Sequence, residues 1–357
     1  MADLVAAMVQ ETHLRLSTDP RWKDQTFTTL YLGGGTPSIL PPDLLRNLLT
    51  GVLDAVGRSA SSFREITLEA NPEDMTEAQI HAWLELGVTR LSLGVQSFHD
   101  DTLAWMNRAH TGNQAERAIR LAHELGMTSM TLDLIYGVPT ARNWHDDVFR
   151  AAALPVQHLS AYALTVEPGT VLGTRVERGA VHPAPDARTA KEYHQLCDAM
   201  SKRGWAHYET SNWAAPGPNH GHHTSQHNSA YWSGTPYLAL GPGAHGFLGA
   251  SRYANVSNNP KYIRAIQQGE LLEEREDLTS TDRYNEHVMT GLRTAQGISP
   301  EKLQHMTGVR PQDVDPEAWA QALDGGRLVE HRPGWFRIPE PDWITGDQIA
   351  SSLFAVD

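Results

Sequence analysis

The stretch Leu30-Tyr-Leu-Gly-Gly-Gly-Thr-Pro-Ser38 sets three glycines and a threonine directly after an apolar run. Glycine bares the backbone, so Gly33, Gly34 and Gly35 can bring N–H and C=O groups against a ligand's polar atoms. The ammonium and carboxylate of an amino acid head group would suit such a loop. Further along, Glu69 could accept from a pair of ribose hydroxyls, Gln96 can donate and accept, and Arg108 could pair a carboxylate. Asp133 is a fourth polar group in a similar setting. Each has a plainer reading: a glycine triplet makes a turn, and an acid at a strand end caps the next helix. A second constellation is rich in histidine. His220, His222, His223 and His227 fall within Asn219 to Trp232, and His245 follows in Gly-Pro-Gly-Ala-His-Gly. Such imidazoles could hold a zinc- or nickel-like ion, or simply decorate a solvated polar loop.

These residues need elements to position them. The spacing predicts a helix over 3–16 with Leu4, Val5 and Met8 on one face. A strand over 27–32 precedes the glycines, and Pro41-Pro42 opens a helix striped by Leu44, Leu45, Leu48, Leu49, Val52 and Leu53. Strands are expected over 65–69, 90–93, 129–135 and 158–164, with intervening helices. One of these helices opens on a Thr76-x-x-Gln79 capping box and stops at Gly87; another, carrying Ala115, Ala118, Ile119, Ala122 and Leu125, stops at Gly126. Repeated βα units make a parallel sheet, whose sites lie at the carboxyl ends of the strands. Gly33–Thr36, Glu69, Gln96 and Asp133 all fall at such ends. The series opens on a helix where a βα array normally opens on a strand. The array is either a barrel or doubly wound, and it looks as if its first strand is missing.

Composition narrows the classes. The 357 residues carry 29 Lys+Arg against 42 Asp+Glu, a net charge of −13, which argues against a nucleic-acid or membrane-surface binder. No stretch has the length of a membrane span. The single cysteine, Cys197, reads as a small buried residue on a helix and fits a reducing cytoplasm. Three regions are expected: a barrel core over 1–175, a His-rich, barrel-completing region over 176–270 that reads as loop-rich from 206 to 260, and a module over 271–357. The last combines helices with a hairpin turning at Arg332-Pro-Gly334, a winged-helix-like pattern. Its eight Lys/Arg against sixteen Asp/Glu argue against DNA.

Taken together, YLGGGTPS, LEANPE, RLSLGVQSF, DLIYGVP, HNSAYW and LGPGAHG resemble the blocks of the radical S-adenosylmethionine proteins related to oxygen-independent coproporphyrinogen III oxidase, most of all their HemW branch. The resemblance runs along the whole chain. It implies an α/β fold, a TIM-like partial (β/α) radical SAM barrel, with S-adenosylmethionine across the strand tips. Gly34, Gly35 and Thr36 would meet its methionyl end, Glu69 its ribose, and Gln96, Arg108 and Asp133 would line the rest. It also implies that His227, Asn228, Tyr231 and Trp232, the HNxxYW block, contact haem, with His227 as an iron ligand. The flanking His220, His222 and His223 fall outside that block and receive no role. Members of this branch carry haem to respiratory apoproteins in the cytoplasm; the alternative activity in the family is the anaerobic oxidation of coproporphyrinogen III. The sequence departs from the family in one respect. The Cys-x-x-x-Cys-x-x-Cys loop that holds an iron–sulfur cluster is not in this chain, so a cluster is expected only in an N-terminally extended form.

Overall fold

Apolar stripes of helical period, closed by capping residues, alternate with short apolar strands along the first half of the chain. The computed structural model describes residues 1–218 and 221–356. Helix α1 (Ala2–Thr18) comes first. Five parallel strands follow: β1 (Thr29–Leu32), β2 (Glu65–Ala70), β3 (Arg90–Gln96), β4 (Met130–Tyr136) and β5 (His158–Ala163). They are joined by α2 (Pro42–Ala55), α3 (Glu77–Glu85), the pair α4 (Asp100–Trp105) and α5 (Gly112–Glu124), and α6 (Trp144–Ala153). Thr111 and Gln114 close a complete capping box on α5. The box expected on α3 is half formed: Thr76 Oγ1 accepts from the Gln79 amide at 3.3 Å, but Gln79 Oε1 is buried without a partner.

Beyond β5 the sequence reading of a loop-rich region is corrected. Helices α7 (Val171–Glu177) and α8 (Asp186–Ser201) lead to β6 (Ala206–Glu209) and β7 (Asn212–Ala214). Strand β7 pairs antiparallel with β5, and β6 with β7, so the sheet has seven strands in the order β1-β2-β3-β4-β5-β7-β6. The HNxxYW block is not loop but a short helix, α9 (Gln226–Trp232), begun by the Ser225 side chain accepting from the Asn228 amide. A separate antiparallel sheet follows, with β8 (His245–Leu248), β9 (Ser251–Asn255) and β10 (Glu273–Asp277), and α10 (Asn259–Gln267) between the last two. The C-terminal part is helical: α11 (Ser280–Leu292), α12 (Pro300–Thr307), α13 (Pro311–Val314) and α14 (Pro316–Asp324), a hairpin of β11 (Val329–Arg332) and β12 (Trp335–Arg337), and α15 (Gly346–Ser351). Among the described residues no helix is long and apolar enough to cross a membrane.

The large sheet curls into a half-barrel with two unlike faces. On the convex face Leu68, Leu91, Leu93, Leu132, Leu134 and Leu159 are buried in a core shared with the covering helices. On the concave face the register sets Thr67 beside Arg90, Glu69 beside Ser92, Thr131 beside His158 and Asp133 beside Ser160. A parallel sheet covered on both faces would be apolar on both. Here the concave side is kept polar.

Two buried ionic networks hold the frame. Arg15 on α1 reaches Glu11 at 2.7 Å, Asn255 at 2.6 Å and Glu273 at 2.8 Å, with its guanidinium 3.6 Å over the Tyr253 ring. Glu11 also accepts from the Gly241 amide and the Tyr262 hydroxyl. Below β4, buried Arg142 pairs Asp147 at 3.1 Å and Glu192 at 3.3 Å, and Glu192 accepts from the Gly137 amide at 2.8 Å.

Candidate functional site

The glycine loop stands at the carboxyl end of β1 and is tied to the next strand tip, where Ser38 donates to Asp74 at 2.6 Å. Gly33 is required by close approach: a Cβ there would lie 2.3 Å from the Tyr31 ring and 2.6 Å from Glu69. Gly34 has φ +78, which favours glycine, and Gly34 and Gly35 both face open space. Thr36 follows half-buried, its side chain capping nothing. Glu69 accepts from the Tyr31 hydroxyl at 2.7 Å and from the Gly34 amide at 3.2 Å, so the loop and the acid are one unit.

The other strand tips close on the same rim. Gln96 has φ 69, left-handed for a side-chain-bearing residue, where the register of β3 against β4 shifts. Such strain persists only where the surroundings enforce it. Arg108 donates to Asn71 at 2.6 Å and to the Gly94 carbonyl at 2.9 Å, while its Nε is buried without a partner. Asp133 lies deeper; burial pushes its carboxyl up to about 7, the Glu69 charge adds to that, and a Ser160 hydrogen bond and the charges of Arg90 and Arg108 oppose it. Gly34, Gly35, Thr36, Glu69, Gln96, Arg108 and Asp133 therefore share one polar rim.

Helix α9 lies against β1 on the concave side. Its first turn is held by Glu65, which accepts from the Gln226 and His227 amides at 3.0 Å each and from the Ser225 hydroxyl at 3.3 Å. Glu65 in turn lies 3.8 Å from Arg90, which donates to Thr131 at 2.7 Å. This seat puts His227 Nδ1 3.0 Å from Thr29 Oγ1 and stacks the imidazole on Tyr31, centroids 4.6 Å apart at 15°. Tyr231 meets His227 edge-on at 4.9 Å, and Tyr237 meets Tyr231 at 4.7 Å. Burial lowers the His227 pKa to about 4, with Glu65 opposing, so the ring is neutral at physiological pH. The Thr29 hydroxyl can accept from Nδ1 or donate to it; where it accepts, Nε2 keeps a free lone pair.

His227 and Tyr231 thus share one aromatic surface with Tyr31. Trp232 is not brought to it: its ring lies under the Arg293 guanidinium at 5.5 Å, and its Nε1 is buried without a partner. Asn228 contributes its backbone amide to the Ser225 cap. His223 joins a turn through its amide to the Ala215 carbonyl, His222 and His245 are exposed, and His220 lies outside the described residues. Two residues that sequence reasoning missed matter here. Tyr31 bonds Glu69 and stacks on His227, joining rim and helix; half-exposed Tyr162, at the end of β5, feels Asp133 and Glu209. Both occupy alternate polar positions on strands, which is the signal that could have found them.

Residues 7–151 match the family model of the radical SAM superfamily, and residues 278–341 that of the HemN C-terminal domain. The half-barrel with its glycine loop, followed by that C-terminal domain, defines a radical SAM protein of the HemN group. Heme chaperone HemW of Bacillus subtilis is 33% identical over 84% of this chain and 78% of its own length. HemW of Escherichia coli is 34% identical over 86% and 79%, and HemW of Mycobacterium tuberculosis strain H37Rv 37% over 78% and 70%. The chain belongs to the HemW family. The solved structure of coproporphyrinogen III oxidase HemN from Escherichia coli superposes with a TM-score of 0.80 over 98% of this chain and 82% of that one, at 19% identity, a likeness of fold.

The family implies S-adenosylmethionine and a four-iron cluster. The rim fits the first: a glycine loop with room beside it, and an unpartnered Arg108 Nε for a carboxylate. The second does not fit these residues. A cluster needs three thiolates beside the rim, and the one cysteine of the sequence lies on α8, against the convex face of the sheet.

Proposed function

We propose that the chain is a haem chaperone: it binds haem on the concave side of the half-barrel, with His227 as an iron ligand, and passes it to haem-accepting respiratory apoproteins in the cytoplasm. The observation that carries this reading is the state of His227. A neutral imidazole, oriented through Nδ1 and flanked by Tyr31 and Tyr231, has what an axial ligand needs: an available lone pair, a fixed ring, and aromatic neighbours for a macrocycle. Asn228 and Trp232 belong to the proposal as supports of α9, with Trp232 anchoring the helix against Arg293. The names of the HemW relatives support the same cargo.

At the rim, Gly34, Gly35 and Thr36 would take the amino acid end of S-adenosylmethionine, Glu69 its ribose, and Gln96, Arg108 and Asp133 the remaining polar edge. When bound beside a reduced cluster this compound supplies a radical. Without the cluster ligands the chain binds it through these contacts alone, so calorimetry should show weak binding; a tight curve without added iron would refute this. The alternative, coproporphyrinogen III oxidation, requires that radical. It would be revealed by decarboxylation of coproporphyrinogen by an N-terminally extended form under anaerobic, reducing conditions.

The test of the chaperone reading is a haemin titration followed by absorbance. A saturable Soret shift is expected for the chain and for His222→Ala, and its loss for His227→Ala. Equal behaviour of the two variants would overturn the assignment of His227.

A further inference from the structure

One cluster of ligating side chains lies away from the concave site. Cys197 comes from α8, His207 from β6 and Glu340 from the turn after β12, and their ligand atoms lie within 4.8 Å of one another. His207 is sandwiched on the convex side of the sheet, stacked on Trp213 at 4.0 Å and edge-on to Trp343 at 4.5 Å. Its Nδ1 lies 2.8 Å from Glu340 Oε1 and 4.0 Å from Cys197 Sγ. Its Nε2 lies 3.2 Å from the Thr210 carbonyl, which can only accept. Nε2 therefore donates to Thr210, and Nδ1 lies between the Glu340 carboxylate, which also only accepts, and the Cys197 thiol; a metal ion there would take the place of the proton that Nδ1 shares with Glu340. A backbone carbonyl on the far nitrogen is how proteins fix the tautomer of a metal-binding imidazole.

A second observation comes from a residue outside the three. The Tyr193 side chain is buried, and its hydroxyl, without a close hydrogen-bond partner, is directed at the Cys197 sulfur. A buried hydroxyl left unpaired is costly; a metal-bound thiolate or water would accept from it.

We propose that Cys197, His207 and Glu340 bind a zinc-class divalent ion through sulfur, nitrogen and oxygen, with a fourth position open to water on the side of Glu340, whose side chain is 45% exposed. On binding, the Cys197 thiol and the His207 Nδ1–Glu340 hydrogen bond each give a proton to solvent, and Cys197 ligates as thiolate, His207 through Nδ1 and Glu340 as carboxylate. The ion ties the C-terminal helical domain, through Glu340, to the back of the half-barrel.

Because the sequence has one cysteine, any thiolate–metal band reports this site alone. The reduced, chelator-stripped full chain is titrated with Co²⁺. The expected result is a near-ultraviolet thiolate-to-cobalt charge-transfer band that saturates at equimolar metal, and its bleaching by Zn²⁺. Cys197→Ser should abolish the band. Glu340→Gln, at a half-exposed position, should keep the fold by circular dichroism and weaken the ion at least ~10-fold. His222→Ala should change nothing, which separates this site from the histidine-rich turn. A folded chain without the band, or a band that Glu340→Gln leaves unmoved, overturns the proposal and leaves His207 and Glu340 as a simple ion pair.

Discussion

His227 should make this protein sensitive to mild acid. Burial lowers its pKa from 6.5 to about 4. The folded chain then holds the ring neutral while the unfolded chain takes up a proton near pH 6.5. Acid therefore favours unfolding: the stability is intact above about pH 6.5 and is lost as pH falls toward 4. Over that window, at about 1.4 kcal/mol per pH unit, the loss is ~3 kcal/mol. The assay is urea unfolding at closely spaced pH values from 7 to 4, with the chain and His227→Phe compared. Phenylalanine keeps the stack on Tyr31 but cannot titrate, and it loses the contact with Thr29 worth ~1 kcal/mol. His158, also buried neutral, and Asp133, whose raised pKa acts in the opposite direction, are common to both chains and cancel in the difference. The variant should start slightly less stable at pH 7 and become the more stable one near pH 4. Parallel profiles would refute the buried neutral imidazole, and with it the ligand state on which the haem proposal rests.

Other perturbations read other parts of the frame. Arg142→Met leaves Asp147 buried without its cation and Glu192 with Arg188 alone, and should cost ~3–5 kcal/mol, measured as a fall in the urea midpoint at unchanged slope. Gly33→Ala forces a methyl into Tyr31 and Glu69 and should cost ~1–3 kcal/mol in thermal unfolding, whereas Gly35→Ala, facing open space at an ordinary φ, should be nearly silent. Tyr31→Phe removes the hydroxyl from Glu69 but keeps the ring on His227; it should lose ~1.5–3 kcal/mol of stability and leave the haem-induced Soret shift in place.

The βα half of the fold was legible because its strands and helices carry local signals: apolar runs, Thr76-x-x-Gln79 at the start of α3, and glycines at 87 and 126 with positive φ. The rim was legible for the same reason, since strand ends are fixed by local pattern. What was not legible depends on partners distant in sequence. Strand β7 has three residues, Asn212–Ala214, and is a strand only because β5 offers an edge. Helix α9 is too short to stand alone; Glu65, some 160 residues earlier, accepts from its first amides and from its Ser225 cap. Tyr31 was passed over because its meaning lies in two contacts, Glu69 and His227, that no local window contains. Cys197 read as inert because its neighbours His207 and Glu340 come from other elements.

The Arg15 network has a consequence for synthesis. Arg15 and Glu11 leave the ribosome well before their partners, Glu273 and Tyr262, which lie 258 and 251 residues later. At ~5–20 residues per second, α1 waits ~10–50 s before its buried charges can be neutralised. Over that interval α2 is already made and can cover the apolar side of α1, but the polar side has nothing to bury against. Completion of the β9–α10–β10 segment, not of the half-barrel, is the event that commits α1 to its final place.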